Sequence, residues 1–355
     1  MIYGVGIPFA LRPLRAQVPG WTAEHERQLE SVLENEIAKE SIPGISIAVV
    51  HRKEVVWSAG FGYADLEHRA PCTASTLHRI ASVSKPLTAT AALQLHERGK
   101  LDLDAPVQKY VPGFPAKRWP ITSRQLLQHL AGIRHYRPDE DLNRRHYEDV
   151  RASLTPFRDD DLLHEPGSAF RYTSYGFVLL GAVLEGASGM SYKDCVRANI
   201  LEPSGMTATR PDESEPVVPG RSRGYRREKS GEVVNCAWVD QSNKLPAGGR
   251  LSSALDLARF AASILKGTLL GPKAMNEMWA RARTTNGREM DYSKGWMSLW
   301  KDGELQAVGH GGNQTGTTAL LHIEPGRQRA VVLLMNIETY RGIFQLNSRV
   351  MSVLP

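Results

Sequence analysis

Cysteine is scarce in this 355-residue chain, with Cys72, Cys195 and Cys236 the whole complement. The count is odd and no two form a C-x-x-C pair, so the cysteines make a poor disulfide framework and buried free thiols are expected. Long apolar runs are missing as well. No segment approaches the ~18 apolar residues a membrane span needs, so none is expected. Neither an H-E-x-x-H helix nor a Cys/His zinc spacing occurs among the eleven histidines, which argues against a metal site. With no Walker A loop and no dinucleotide fingerprint, no cofactor is expected. Internal repeats and low-complexity segments are absent. Charge of one sign is only slightly in excess: 44 Lys and Arg against 38 Asp and Glu give +6. The densest basic stretch, Arg221 to Lys229, is short and broken by Gly224 and Glu228. It reads as a loop or turn and carries no nucleic-acid-binding signature, so nucleic acid is not an expected partner. The N-terminus is broken by Pro8 and Pro13 and lacks a basic n-region and a continuous apolar core. A reducing, cytoplasmic setting is therefore expected, or export if the N-terminus is a truncated leader.

What is present is ordinary globular material, 41% hydrophobic and 23% charged. Residues 22–40 carry apolar positions at helical spacing, and Pro43-Gly44 stops them. The β-branched run Ile45 to Val50, a turn at His51-Arg52-Lys53 and Val55 to Gly60 predict a hairpin. Residues 85–285 read mainly as helices: Leu87 to Glu97, Ser123 to Leu130 closed by Gly132, Tyr175 to Glu185 closed by Gly186, and Leu255 to Leu265 closed by Gly267. Strand patterns return at Trp296 to Trp300, Ala319 to Ile323 and Ala330 to Met335, with a closing helix at Ile343 to Val353. This order predicts an α/β (α+β) sandwich. One antiparallel sheet, flanked by helices, is built from both chain ends, with a mainly helical domain inserted between them. The expected division is 1–84 with 286–355 for the sandwich and 85–285 for the helical part, the active site lying in the cleft between.

Three places carry chemistry. Residues 79–92 read R-I-A-S-V-S-K-P-L-T-A-T-A-A, with Ser82 and Lys85 three apart at a helix start. That spacing puts both side chains on one face. A serine hydroxyl needs a neighbouring base, and a lysine can serve if burial or nearby positive charge lowers its pKa. The helix N-terminus adds positive potential and backbone N–H groups for a developing oxyanion. Ser84, beside the lysine, would face elsewhere. The second place is P-G-S-A-F-R-Y-T-S-Y-G at 166–176. Cationic neighbours would lower the phenol of Tyr172 from its usual ~10, and next to Lys85 it could shuttle a proton. The third is Val308-Gly309-His310-Gly311-Gly312-Asn313, a glycine-rich run just before the strand at Ala319. On these residues alone, a serine cap, a core tyrosine and a glycine-rich turn are the favoured readings.

The flanks decide between the readings. Leu77-His78-Arg79-Ile80 before Ser82 and Thr88-Ala89 after it resemble the F-R-I-x-S-x-x-K-x-x-T-A run of the β-lactamase and penicillin-binding-protein superfamily. Class C β-lactamases, family VIII carboxylesterases and D,D-peptidases share that run. Tyr172 to Ser174 resembles the Y-x-N element, with Ser174 in place of Asn, and His310-Gly311-Gly312 resembles the K-T-G or H-T-G box. H-L-A-G-I-R-H-Y (129–136) and Val239-Asp240-Gln241-Ser242 most resemble mitochondrial serine β-lactamase-like proteins and their bacterial relatives. The resemblance runs from about residue 24 to about residue 340. It implies a serine hydrolase forming an acyl-enzyme at Ser82, with Lys85 and Tyr172 as base and proton relay. Ser174 and His310 would contact lysine or substrate, His310 could also tune Tyr172, and Gly311 and Gly312 would admit a bound acyl group. The backbone N–H of Asn313 would pair with that of Ser82 as an oxyanion hole. Gly311 lacks the hydroxyl that helps relatives hold a β-lactam's carboxylate. Small ester or peptide amide hydrolysis is therefore the leading expectation. A true β-lactamase and a penicillin-recognising binding or assembly protein with negligible turnover are the alternatives. The expected partner is a small ester, peptide or β-lactam, and the oligomeric state is left open.

Overall fold

The computed structural model describes residues 18–355; the N-terminal run on which the leader expectation rests lies outside them. In chain order the first elements are α1 (Ala23–Glu40), β1 (Gly44–His51), β2 (Glu54–Asp65), β3 (Ala70–Pro71), β4 (His78–Arg79), α2 (Ser84–Glu97) and α3 (Ser123–Leu127). Then follow α4 (Ser174–Ser188), α5 (Tyr192–Val196), β5 (Arg210–Pro211), β6 (Tyr225–Arg227), β7 (Val233–Asn235), β8 (Arg250–Ser252), α6 (Ala254–Lys266) and α7 (Pro272–Trp279). The chain closes with β9 (Met297–Lys301), β10 (Glu304–Gln314), β11 (Thr317–Glu324), β12 (Arg329–Met335) and α8 (Ile343–Val353).

One seven-stranded antiparallel sheet has the order β3-β2-β1-β12-β11-β10-β9. Both chain ends therefore build it, as the sequence predicts. β1 and β12 are buried along their whole length. Their side chains alternate between two cores, as the pleat requires. Ile45, Ile47, Val49, Val331 and Leu333 pack with Leu29 and Leu33 of α1 and with Leu346 and Val350 of α8. Ala48, Val50, Val332 and Leu334 face the other way, into the core shared with α2, α4 and α6. Each such Val, Leu or Ile contributes roughly 1.5–3 kcal/mol by burial. A strand covered on both faces reads as an unbroken apolar run, which is what Ile45 to Val50 shows.

The stretch between α2 and β9 is less helical than expected. α3 stops at Leu127, because His129 takes a left-handed φ of 56° before Gly132 at 76°. From residue 128 to 173 one short turn, Ala152–Leu154, is the sole helical element. Short strands β5 to β8 make a three-stranded sheet with β4 and a separate two-stranded hairpin. That hairpin, β6 with β7, absorbs part of the basic stretch at 221–229. Gly186 does not end α4. The helix runs to Ser188 and is closed by Gly189 at φ 72°. Gly186 is instead a contact point, since a Cβ there would lie 1.9 Å from the carbonyl oxygen of Tyr110. No helix of the described residues is long and apolar enough to cross a membrane.

Candidate active site

Ser82 lies in a short turn (Ala81–Val83) that leads into α2. Ala81 just before it holds a left-handed φ of 45°, a conformation that costs a non-glycine residue about 1 kcal/mol or more. The next turn of helix brings Lys85 onto the same side, its Nζ 3.0 Å from Ser82 Oγ. Lys85 is fully buried. Its other partners are Ser174 Oγ at 3.3 Å and the carbonyl oxygen of Ala247 at 2.9 Å. Burial drives the Lys85 pKa well below the ordinary lysine value, and the charge of Lys244 pushes the same way. A neutral amine has two hydrogens and one lone pair. The carbonyl of Ala247 can only accept, Ser174 can accept, and the remaining lone pair matches the hydroxyl hydrogen of Ser82. Ser84 is buried with an unpartnered hydroxyl.

Tyr172 donates its hydroxyl to Ser82 Oγ at 2.8 Å. It sits two residues ahead of α4, whose first N–H groups have no partner inside the helix. The 129–135 segment supplies partners at that end. His129 Nδ1 accepts from Thr173 N at 3.2 Å, and His135 Nδ1 accepts from Ser174 N at 3.2 Å. Thr173 Oγ1 donates to the Arg134 carbonyl at 2.6 Å while accepting from Gly176 N at 3.3 Å. The two histidines thus fix where Tyr172 and Ser174 point. Burial holds His129 well below, and His135 at about 4 against, the usual histidine value, so both stay neutral acceptors at neutral pH. The expectation for Tyr172 itself is reversed: burial pushes its phenol up, not down, and the hydrogen bond to Ser82 offsets this in part.

The glycine-rich run lies inside β10, not before a strand. Gly312 passes so close to the turn carrying Ser82 that a Cβ would stand 2.6 Å from the Ile80 carbonyl oxygen and 3.2 Å from Ser82 N. Asn313 follows, its Oδ1 held by the N–H of Thr339 at 3.0 Å. His310 is buried, and burial and then the Lys85 charge bring its pKa down to about 3. Its Nδ1 is 2.6 Å from the carbonyl oxygen of Gly311, so that nitrogen carries the proton. Nε2 must then accept from Tyr292 OH, 3.2 Å away. Both nitrogens are committed within the protein. No bond runs from His310 to Tyr172; their ring centroids are 6.1 Å apart. The structure therefore brings Ser82, Lys85, Tyr172 and Ser174 into one hydrogen-bonded group, with His310, Gly311, Gly312 and Asn313 along its edge.

The family described as beta-lactamase matches residues 29–351. The chain belongs to that family. The chain is similar to a mitochondrial serine beta-lactamase-like protein, LACTB, of Homo sapiens, 32% identical over 77% of this chain and 65% of that protein. The chain thus spans just under two thirds of that relative's length. The octameric penicillin-binding protein homologue of Pyrococcus abyssi is 28% identical, covering 93% of this chain and 79% of that one with a TM-score of 0.78. A D-amino acid amidase of Ochrobactrum anthropi shares the fold at a TM-score of 0.80 and 24% identity, over 93% of this chain and 98% of that one.

Within this beta-lactamase-family chain, sequence reasoning missed four contributors. His129 and His135 fall in the quoted H-L-A-G-I-R-H-Y run but had no role there. Tyr292 gave no signal. Lys244 stands two residues past the quoted Val239–Ser242 stretch. Its carbonyl accepts the N–H groups of Ala247, Gly248 and Gly249 at 2.8, 2.7 and 3.0 Å. The resulting turn presents Pro246 O to Thr88 at 2.7 Å and Ala247 O to Lys85. Two chambers border the group formed by Ser82, Lys85, Tyr172 and Ser174. A polar one of about 330 Å³ is lined by Ser174, Lys244, Asn313 and Gln314. A larger one of about 730 Å³ opens on the side of Tyr172 and His310.

Proposed function

We propose that this chain is a serine acyl hydrolase acting on small ester or amide bonds, with Ser82 as nucleophile. The observation that carries the reading is the pairing of Ser82 Oγ with a buried Lys85 that has no carboxylate partner among the described residues. Neutral Lys85 takes the proton of Ser82 as Oγ bonds to the substrate carbonyl carbon. The tetrahedral oxyanion is met by the backbone N–H groups of Ser82 and Asn313. On collapse the bond to the leaving oxygen or nitrogen breaks, and that atom takes the hydroxyl proton of Tyr172. The Lys85 ammonium then returns a proton to the phenolate. Tyr172, raised rather than lowered in pKa, is suited to donate. Water repeats the sequence in reverse to release the acid. The division at 84/85 and 285/286 is retained as a proposal, with this site at the seam.

The beta-lactamase alternative is disfavoured by one contact. A Cβ on Gly311 would meet Phe344 Cζ at 3.3 Å, so a ring occupies the space beside the missing hydroxyl. The test is a fluorophosphonate adduct located by mass, with turnover of p-nitrophenyl butyrate, nitrocefin and D-amino acid amides. The adduct is expected on Ser82, abolished by Ser82→Ala and kept by Ser84→Ala, with esters turned over fastest. An adduct elsewhere, or nitrocefin turned over faster than the ester, overturns the assignment.

A further inference from the structure

The two chambers beside Ser82 differ in chemistry, and Tyr172 tells which part of a substrate enters each. The departing atom must reach the Tyr172 hydroxyl to collect its proton. Tyr172 lines the larger chamber, together with His310, Gly311 and Gly312. The departing group therefore lies in that chamber, and the acyl group extends towards Ser174 and Gln314.

Much of the wall of the larger chamber is apolar. Phe170, Met290, Met297, Ile343 and Phe344 contribute to it. Met297 and Phe344 are 39% and 50% exposed, unusual for large apolar side chains. Of the polar groups in the same wall, His310, Thr318 and Tyr340 are engaged inside the protein, while Asp291, Asn313 and Thr339 are exposed. His310 has both nitrogens bonded. Thr318 Oγ1 donates to the Ile337 carbonyl and accepts from Tyr340 N. The Tyr340 hydroxyl is bonded to Glu36. Asp291 is paired with Arg281 at 3.1 Å. Arg341, exposed at the rim, is the one cation in the lining. Desolvating a carboxylate against such a wall is costly, whereas an aryl or alkyl group gains from it.

We infer that the departing part of the substrate is a neutral, apolar alcohol or amine, aryl or branched alkyl, seated against Phe344 and Met297. This deepens the acyl-hydrolase reading and rests on Ser82 being the nucleophile. The test uses two acetate esters of one phenol framework, 3-(methoxycarbonyl)phenyl and 3-carboxyphenyl acetate. Each rate is divided by that ester's rate with hydroxide, so that leaving-group acidity cancels. The neutral ester is expected to show kcat/KM about tenfold or more above the carboxylate. Phe344→Lys should close most of that gap by helping the carboxylate, and Phe344→Ala should lower the neutral ester's kcat/KM severalfold. Matching aryl phosphonates, neutral and carboxylated, read the same preference as a labelling rate at Ser82 where deacylation is slow. A Ser82-dependent preference for the carboxylate, above all one lost in Arg341→Ala, overturns the inference while leaving the nucleophile in place. Hydrolysis unchanged in Ser82→Ala, or no labelling of Ser82, overturns the acyl-hydrolase reading instead, and the inference falls with it.

Discussion

Lys85 donates to the carbonyl oxygen of Ala247 at 2.9 Å, and no acidic side chain is paired with it among the described residues. An ammonium buried in this way has nothing to balance its charge, so the neutral amine is the favoured form. The proposed mechanism then runs through the form of the site that has lost a proton.

The pH dependence follows. Below the depressed Lys85 pKa the lysine is protonated and cannot take the Ser82 proton, so kcat/KM falls on the acid side. Lys244 lowers that pKa through its charge. Lys244→Met should therefore raise it, moving the acid limb of the pH–rate profile to higher pH, while Lys244→Arg should hold the limb near its original place. A limb that stays fixed in Lys244→Met removes the second lysine from the account.

Lys85 and Tyr172 both end on Ser82 Oγ, at 3.0 and 2.8 Å, and should behave as one unit. Lys85→Ala and Tyr172→Phe are each expected to lower kcat by about 10² or more. The double variant should be little worse than the poorer single one. Losses that simply multiply would separate the two residues.

Gly312 has no room to change. Gly312→Ala places a methyl 2.6 Å from the Ile80 carbonyl oxygen and forces β10 away from the nucleophile. A shift of this kind can cost about 10² in rate, with circular dichroism expected to stay native-like. Gly311→Thr meets a movable ring instead. Alone it should depress ester turnover, and Phe344→Ala in the same chain should restore much of it. Equal activity of Gly312→Ala and the parent would show that strand and nucleophile are not in register.

Gly186→Ala tests packing away from the site. Its methyl would overlap the Tyr110 carbonyl, so a cost of roughly 1–3 kcal/mol and a Tm lower by several degrees are expected. Gly189→Asn, at a left-handed cap, should be milder. Thermal unfolding with activity per folded molecule unchanged would place the effect on stability.

The ends of the chain were the most legible part. α8 spans Ile343 to Val353 as its pattern predicts, because one face is apolar and the other polar. β1 announces itself as a β-branched run and β12 as a short apolar run bounded by turn signals. The middle hid its structure for identifiable reasons. Glycine has weak strand preference, so β10 looked like a turn; its glycines are there for backbone approach. The Tyr172 shift came out with the wrong sign because a charge neighbour can be guessed from sequence and burial cannot. His129 and His135 act through ring nitrogens on backbone N–H groups some forty residues away, a relation that carries no spacing rule.

The pairing of β1 with β12 sets an order of events during synthesis. Ile45 lies opposite Met335, so one edge of β1 stays open until almost the whole chain has left the ribosome. Gly312, which presses on the turn carrying Ser82, also arrives late. On the proposed mechanism, Ser82 is made early and its oxyanion partner late. A nascent chain halted before residue 312 would hold Ser82 and Lys85 on a growing helix without the strand that completes the oxyanion site. Such contacts between distant parts of the chain slow folding, and on the proposed mechanism the same delay would leave the Ser82 hydroxyl without its oxyanion partner until β10 is in place.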